Sequence, residues 1–526
     1  MNIYKKYESF IFYTVLFGLI LSFSFYFNHI DVDHWARLLQ GEAFFNLGHV
    51  LNHDIYSYIP AGFWFDHEWG SSVVFYFLQK HFGYASLILL KSVLTFFTVF
   101  FMIKTIGLQE DKTTKLYNIL YFYFVMIQAF HIVINSGIRC HSFSFFFFSL
   151  FLYILELVRK RHYNKLLFLL PFLTIIWINL HAGCVAGVGL LLIYTIGEFL
   201  NKAPYKKYFI TFIILLLTLS FNPYGLDYFK FLIHASTMTR PMIDEWQSAF
   251  FDRSFFSFFK FKIFFSIFIL TAIYTSIKNI LQKKNFDYTV LILMLIVTYL
   301  ALFHIKHHSL FIIVFAAFLY FDFYYLFNKF VNFIKKILNI SSKNFINNFV
   351  FIKEVIVYIY LCLTIIISFS LSNINPVGEI YKYPVKIVEF IKENSLKGKI
   401  LAPLEMNSYF IYKLYPDILV YEDGRLEQVY NQISTTLLWN FYFNGDESIF
   451  EYYGKPDYIV INRQYPNFDK MLKNKEYNKI YEDSGNLLLV KKDLLKKNYI
   501  EPTKDISFYE KTIFDKQFTF KKHKAN

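Results

Sequence analysis

Runs of Phe, Leu, Ile and Tyr alternate with short polar connections from residue 9 to about residue 372, and many approach the roughly 20 residues a helix needs to cross a bilayer. Read this way, the chain holds about eleven candidate spans, at 9–29, 84–103, 116–134, 142–158, 166–180, 182–199, 208–222, 263–282, 286–303, 309–327 and 354–372. Residues 69–82 read as a further helical stretch at the membrane interface. Basic residues gather in every second connection: Lys5/Lys6, Lys104/Lys112/Lys115, Arg159/Lys160/Arg161/Lys165, Lys202/Lys206/Lys207, Lys278/Lys283/Lys284 and Lys329/Lys335/Lys336/Lys343. The positive-inside rule makes those connections, and the N-terminus with them, cytoplasmic. Lys5 and Lys6 precede an apolar run without a small-residue cleavage site, which predicts an anchor and not a removed signal peptide.

After residue 373 the pattern changes, and residues 376–526 carry no spanning run. Helical periodicity at 384–396 leads to a strand-like run at 399–402, and a second helix near 407–414 precedes another at 418–421. Further strand signals lie at 458–461 and 487–490. The expected fold class is an all-α polytopic membrane domain over 1–375 followed by a soluble α/β domain over 376–526. Eleven spans and a cytoplasmic N-terminus put that second domain on the extracytoplasmic side, periplasmic where an outer membrane exists. The expected location is the cytoplasmic (inner) membrane, with the lipid bilayer as a partner.

Composition supports the membrane reading: 56% of the 526 residues are hydrophobic, 17% are charged, and the mean hydropathy is +0.37. A soluble chain cannot hide so much apolar surface, because its own exterior must face water. The balance of 53 basic against 39 acidic residues, +14, would suit nucleic acid, but the basic excess lies in the connections between spans. No nucleic-acid partner is therefore expected. Cys140, Cys184 and Cys362 stand at unrelated spacings and make neither a disulfide framework nor a zinc pattern.

The other set of connections carries different chemistry. The first, residues 30–70, holds Asp31, Asp33, Glu42, Asp54, Asp66 and Glu68 against one arginine, Arg37. Short turns then bring Arg139 with His141, Asn179 with His181, and His304, Lys306, His307 and His308, while the stretch 223–262 adds Asp244, Glu245 and Trp246. A carboxyl at the membrane surface, partly shielded from water, can act as a general base on an acceptor hydroxyl. An Asp-x-Asp pair such as Asp31 and Asp33 can alternatively hold a divalent cation against a phosphate. The plain alternative is that Asp31 ends one helix and Asp33 caps the next. Arg139 can clamp a phosphate with its fork of donors, or snorkel at a helix end. Glu245 and Trp246 suit a sugar, the indole covering its apolar face and the carboxylate accepting its hydroxyls, or anchor an interface.

The order of these residues resembles the bacterial glycosyltransferases of the C-type fold grouped with the Rgt-like enzymes. It is carried by Asp31-Val32-Asp33-His34-Trp35 with Gly41-Glu42, by Asp54-Ile55-Tyr56-Ser57-Tyr58 and by His67-Glu68-Trp69. It continues through Ile138-Arg139, Trp177-Ile178-Asn179-Leu180-His181, Asn222-Pro223-Tyr224-Gly225 and Asp244-Glu245-Trp246 to Asn407-Ser408-Tyr409 and Glu422-Asp423-Gly424-Arg425. The resemblance implies a polytopic enzyme that takes a sugar from a polyprenyl-phosphate carrier outside the cytoplasmic membrane and gives it to a glycan, lipid or protein acceptor. It places the first-loop acid on Asp33, with Asp31 the competitor, as general base or as metal ligand if a cation is used. His67 and Glu68 fall on the second acidic cluster of that loop, His67 toward phosphate and Glu68 toward a sugar hydroxyl. Asn179, His181 and Arg139 fall on the lipid-phosphate side, although relatives often read Arg-Pro-Gln where this chain has Arg139-Cys140-His141. His307 and His308 stand where relatives carry Arg-His. A lipid-phosphate leaving group needs no nucleotide module, and the sequence has no Walker or Gly-x-Gly-x-x-Gly element. The competing classes are a transporter or lipid flippase, which calls for ionisable residues near the middle of spans, where most spans here carry Phe, Leu and Ile and Lys91 is an exception, and a non-catalytic envelope-assembly protein.

Overall fold

The computed structural model of the chain describes residues 2–28, 30–109, 132, 137–238, 243–249, 262–282, 286–337, 359, 361–370, 383–483 and 485–502. The N-terminal part is helical: α1 (Asn2–Tyr26), α2 (His34–Leu47), α3 (Trp69–Phe82), α4 (Ala85–Leu108), α5 (His141–Arg161), α6 (Leu169–Leu180) and α7 (Val185–Leu200). It continues with α8 (Lys206–Thr218), α9 (Tyr228–Thr237), α10 (Ile263–Leu281), α11 (Tyr288–Phe303), α12 (His308–Ile337) and α13 (Leu361–Ser370). Among the described residues five stretches are long and apolar enough to cross a membrane: Ser9–Tyr26, Ala85–Leu108, His141–Arg161, Ala182–Leu200 and Ile305–Phe330. That is fewer than the eleven expected. The predicted span 116–134 lies outside the described residues apart from 132, and only part of 354–372 lies within them. The helices near 166–180, 208–222, 263–282 and 286–303 are apolar but short. Bulky side chains on the flanks of these helices stand open, as at Phe172, Ile210, Leu217, Leu270 and Leu295, each about 60% exposed. A water-soluble bundle would bury such rows, so lipid is their solvent.

Two segments expected as connections are helical. In the first, α2 has buried side chains from His34 to Glu42 and crosses α3 where Gly41 meets the backbone of Ser72, so that a methyl group there would overlap the Ser72 carbonyl. In the second, α9 puts Tyr228 and Phe231, one turn apart, into the core.

The described C-terminal lobe, residues 383–502, is built on a five-stranded sheet of order β2-β1-β3-β5-β4. Its strands are β1 (Gly398–Leu401), β2 (Ile418–Val420), β3 (Tyr458–Asn462), β4 (Tyr477–Glu482) and β5 (Asn486–Lys491). β1 runs parallel to β2 and β3, while β5 is antiparallel to β3 and β4. β3 and β5 are almost wholly apolar, as expected for central strands covered on both faces. The loop after α2 joins the sheet edge: Tyr58 N–H donates to the Val420 carbonyl at 2.9 Å and Val420 N–H donates to the Tyr56 carbonyl at 3.1 Å. Arg425, buried in the lobe, reaches across to Asp54 of that loop at 2.7 Å. Lobe and helices are therefore stitched together beside the start of α2.

Candidate active site

The two acidic pairs of the first connection are folded by the same device. Asp31 Oδ1 accepts the backbone N–H of Asp33 at 3.0 Å, and Asp66 Oδ1 accepts that of Glu68 at 3.0 Å. Each is a turn in which an aspartate bonds the backbone two residues on. Asp33 and Glu68 then occupy the N-cap positions of α2 and α3, yet neither side chain caps its helix. The capping role considered from sequence is not taken up by Asp33. Both carboxylates are released toward an arginine.

Asp33 meets Arg139, which precedes α5. The Arg139 Nη2 lies 3.1 Å from Asp33 Oδ2, Nε 2.7 Å from Asp31 Oδ2, and Nη1 2.5 Å from Glu245 Oε2. Three segments distant in the chain thus share one guanidinium. Glu68 meets Arg37, one turn into α2: Arg37 Nη1 is 3.0 Å from Glu68 Oε2 and 2.8 Å from Asp66 Oδ1. The other Glu68 oxygen, Oε1, accepts from the Cys140 thiol at 2.5 Å and faces the Nε2 atoms of His67 and His181 at 3.5 and 3.6 Å.

His181 closes the tight turn between α6 and α7. Gly183 N–H is aimed at its Nδ1 at 3.2 Å, and Ser144 Oγ, which accepts from Trp177 Nε1 at 2.8 Å, stands 2.7 Å from the same nitrogen. Assigned from these bonds, Nδ1 is an acceptor and the proton sits on Nε2, facing Glu68. The His141 ring lies tilted beside it with ring centroids 4.6 Å apart, and His67 lies 5.9 Å away.

Surroundings push the two N-cap carboxyls in opposite directions. Burial, reinforced by Asp31 and only partly countered by Arg139, pushes Asp33 up to about 8. Burial acts the same way on Glu68, but Arg37 and then His67 and His181 outweigh it and hold that carboxyl well below its usual range. Near neutral pH Glu68 is a fixed anion and Asp33 is the group that exchanges a proton, a separation typical of acid–base centres. Burial, then the neighbouring His141, keeps His181 well below its ordinary value and so neutral, while burial and Glu68 hold the Cys140 thiol protonated.

Among the described residues, two groups could by spacing hold a metal ion: Cys140, His141 and His181, or His67, Glu68 and His181. Their own partners compete with one, since Glu68 is bound by Arg37 and His181 Nδ1 by Gly183. The Asp31–Asp33 pair named from sequence has Arg139 at its centre.

Of the residues named from sequence, Asp31, Asp33, Arg139 and Glu245 form one cluster, and His67, Glu68 and His181 the adjoining one. Three do not join them as expected. Asn179 has spent its polar atoms elsewhere: Nδ2 donates to the Ile175 and Phe221 carbonyls at 2.8 Å each, and Oδ1 accepts from Trp69 Nε1 at 2.9 Å. His308 turns its Nε2 to the Ala301 carbonyl, 3.1 Å away, bracing α11 against α12. Trp246 does not present a bare face, because Lys306 Nζ sits 3.0 Å from its ring centroid and His304 Nδ1–H donates to its carbonyl at 2.8 Å. Lys306 is the residue sequence reasoning passed over in favour of the histidines around it. Its position in the connection between α11 and α12 was the available signal.

The other ends of α5 and α7 carry a second polar cluster, in which Arg159 contacts Glu198 at 2.7 Å and Asp287 at 2.5 Å. The 21 residues of α5 separate the two clusters by about 30 Å, the thickness of a hydrocarbon core.

A helical bundle tied to an α/β lobe in this way has solved counterparts. The chain shares its fold with an archaeal oligosaccharyltransferase. The apo structure of the Archaeoglobus fulgidus enzyme superposes with a TM-score of 0.60 over 96% of this chain and 76% of that one, at 12% identity. The same enzyme, AglB, with an inhibitory peptide and a dolichol-phosphate gives 0.58 over 95% and 76%, at 11% identity. The form tethered to an acceptor peptide containing the NVT sequon gives 0.55 over 88% and 70%, also at 11% identity. No protein-family model matches the chain, and no curated protein matches its sequence.

Proposed function

We propose that the chain is an integral-membrane glycosyltransferase that moves a sugar from a polyprenyl-phosphate carrier to a hydroxyl of a glycan, lipid or protein acceptor. The observation that carries this reading is the gathering of Asp31, Asp33 and Glu245 by Arg139 at one end of an oligosaccharyltransferase-like bundle. Asp33, the carboxyl that titrates, takes the proton of the acceptor hydroxyl. The acceptor oxygen attacks the sugar carbon, the bond from that carbon to the phosphate oxygen breaks, and the lipid phosphate departs with the electron pair. Lys306, whose Nζ lies over the Trp246 ring, is the cation that meets the phosphate, while Arg139 keeps Asp33 aligned. The lysine-rich alternation of connections supports a cytoplasmic N-terminus and a lobe on the outer side of the cytoplasmic membrane.

A divalent cation is the second arrangement, favoured by charge: three carboxylates against one guanidinium leave the cluster with an excess of negative charge, which protonation of Asp33 reduces but does not remove. Asp31, Asp33 and Glu245 would hold it, and their oxygens are the hard ligands such an ion prefers. Activity that survives exhaustive chelation removes this arrangement and leaves the first.

Purified full-length protein incubated with a panel of polyprenyl-phosphate sugars tests the main reading. It calls for transfer by the wild type and a loss of about 10²-fold or more in Asp33→Asn, the usual worth of a positioned base. Full turnover by that variant, or no transfer from any lipid-linked sugar, refutes it.

A further inference from the structure

The turn Asp423-Gly424-Arg425, which follows β2, is where the C-terminal lobe touches the carboxylate that titrates. It is held from both sides. Arg425 is 1% exposed, with Nη1 2.7 Å from Asp54 Oδ1 and Nη2 2.7 Å from Asp423 Oδ2. Asp423 Oδ1 accepts the Arg425 backbone N–H at 3.0 Å, and the Tyr430 hydroxyl donates to Asp423 Oδ2 at 3.0 Å. A turn pinned in this way resists moving back from what it faces. A Cβ built on Gly424 would overlap Asp33 Oδ1, and it would stand 3.5 Å from Asp33 Cγ and 3.2 Å from Ser408 Oγ. The φ of Gly424 lies outside the left-handed region, so the backbone does not call for glycine and the missing side chain is the whole requirement. Asp33 Oδ2 is already fixed on Arg139. With Ser408 Oγ in place beside the turn, a methyl group at 424 is therefore accommodated by turning the Asp33 carboxylate away from its partner.

We propose that Gly424 is a positioning residue of the reaction centre: by carrying no side chain it lets the lobe press on Asp33 and set the plane of that carboxylate. This rests on Asp33 being the base. The lobe is then part of the catalytic geometry and not only a platform for acceptors. Displacement of a reacting group by about 1 Å is enough to cost on the order of 10²-fold in rate.

The test compares wild type, Gly424→Ala, and Gly424→Ala combined with Ser408→Gly, which clears the neighbouring hydroxyl so that the turn can shift away from Asp33. In the single variant kcat should fall by about 10–100-fold with the donor KM unchanged, and the double variant should recover part of the loss. A second readout needs no turnover: carbodiimide labelling of full-length protein in detergent, followed by peptide mass spectrometry. Asp33 should label several-fold faster in Gly424→Ala, while Asp54, covered by the docked lobe, stays protected. Should Asp54 become reactive, the lobe has come off, and the double variant is read by the same two rates. Unaltered kcat and unaltered Asp33 labelling in a variant with Asp54 still protected overturn the proposal. Altered labelling in a protein whose wild type transfers no sugar would keep the contact by which Gly424 orients Asp33, but would overturn its part in a reaction along with the enzymatic reading.

Discussion

Removing Arg139 tests the electrostatics of the site most directly. In Arg139→Gln the three carboxylates at 2.5–3.1 Å lose their shared cation. Two unit charges about 4 Å apart attract by roughly 4 kcal/mol at the effective dielectric of a site near the surface. The carboxylate side chains here are 19–35% exposed, so water screens each pair to about 1–2 kcal/mol. Three such pairs make the guanidinium worth several kcal/mol to the anionic form of the cluster. In the proposed reaction Asp33 acts as base only when ionised, and its carboxyl is pushed up to about 8, so kcat/KM in the wild type should rise with pH through that region. Without Arg139 the anion is harder to form, so the limb must move to higher pH by a unit or more. At pH 7 the rate should drop on the order of 10²–10³-fold, as for other preorganised charge stabilisers. Arg139→Lys should recover only a fraction, since an ammonium cannot reach three carboxylates through a planar fork. The assay is the pH–rate profile for transfer from a lipid-linked sugar, wild type against both variants. A profile unmoved along the pH axis in Arg139→Gln would show that this guanidinium does not tune the base.

Three further outcomes follow from contacts described above. Lys306→Ala should raise the donor KM about 10-fold with a smaller change in kcat, and it should change Trp246 fluorescence, because the ammonium lies on that indole. Arg425→Met leaves Asp54 and Asp423 buried without their cation and should cost about 3–5 kcal/mol, seen as a lowered midpoint in a detergent thermal melt and faster proteolysis between the helices and the lobe. Asn179→Ala loses three hydrogen bonds but touches no reacting group, so thermal stability should fall while kcat per folded molecule stays within about two-fold.

The fold was legible where a periodic pattern reports burial. The apolar runs became α1, α4, α5, α7 and α12, and the strand signals near 399, 418, 458 and 487 became β1, β2, β3 and β5. β4 was missed because Tyr477-Asn478-Lys479-Ile480-Tyr481-Glu482 is an edge strand, where lysine and glutamate face water and blur the alternation. α2 was missed because it packs on almost every side, which leaves no polar face to set its period. Within the site, the residue types and the side of the membrane bundle were readable, but the pairings were not. That Asp33 meets Arg139 and Glu68 meets Arg37 depends on contacts across 106 and 31 positions, and nothing local distinguishes Asp31 from Asp33 until the turn shows which one spends its oxygen on the backbone. Asn179 misled for a related reason. A polar side chain beside lipid must find partners, and carbonyl and indole groups served as well as a substrate would.

The buried join between Asp54 and Arg425 bears on how such proteins can diversify. Each is buried with the other as its opposite charge across the join, so the segment between α1 and α3 and the lobe that rests on it must change in step. Recombination that swaps lobes between relatives should succeed only when the partner segment travels along, and a library built on the lobe alone would mostly yield chains with a stranded ion in their interior.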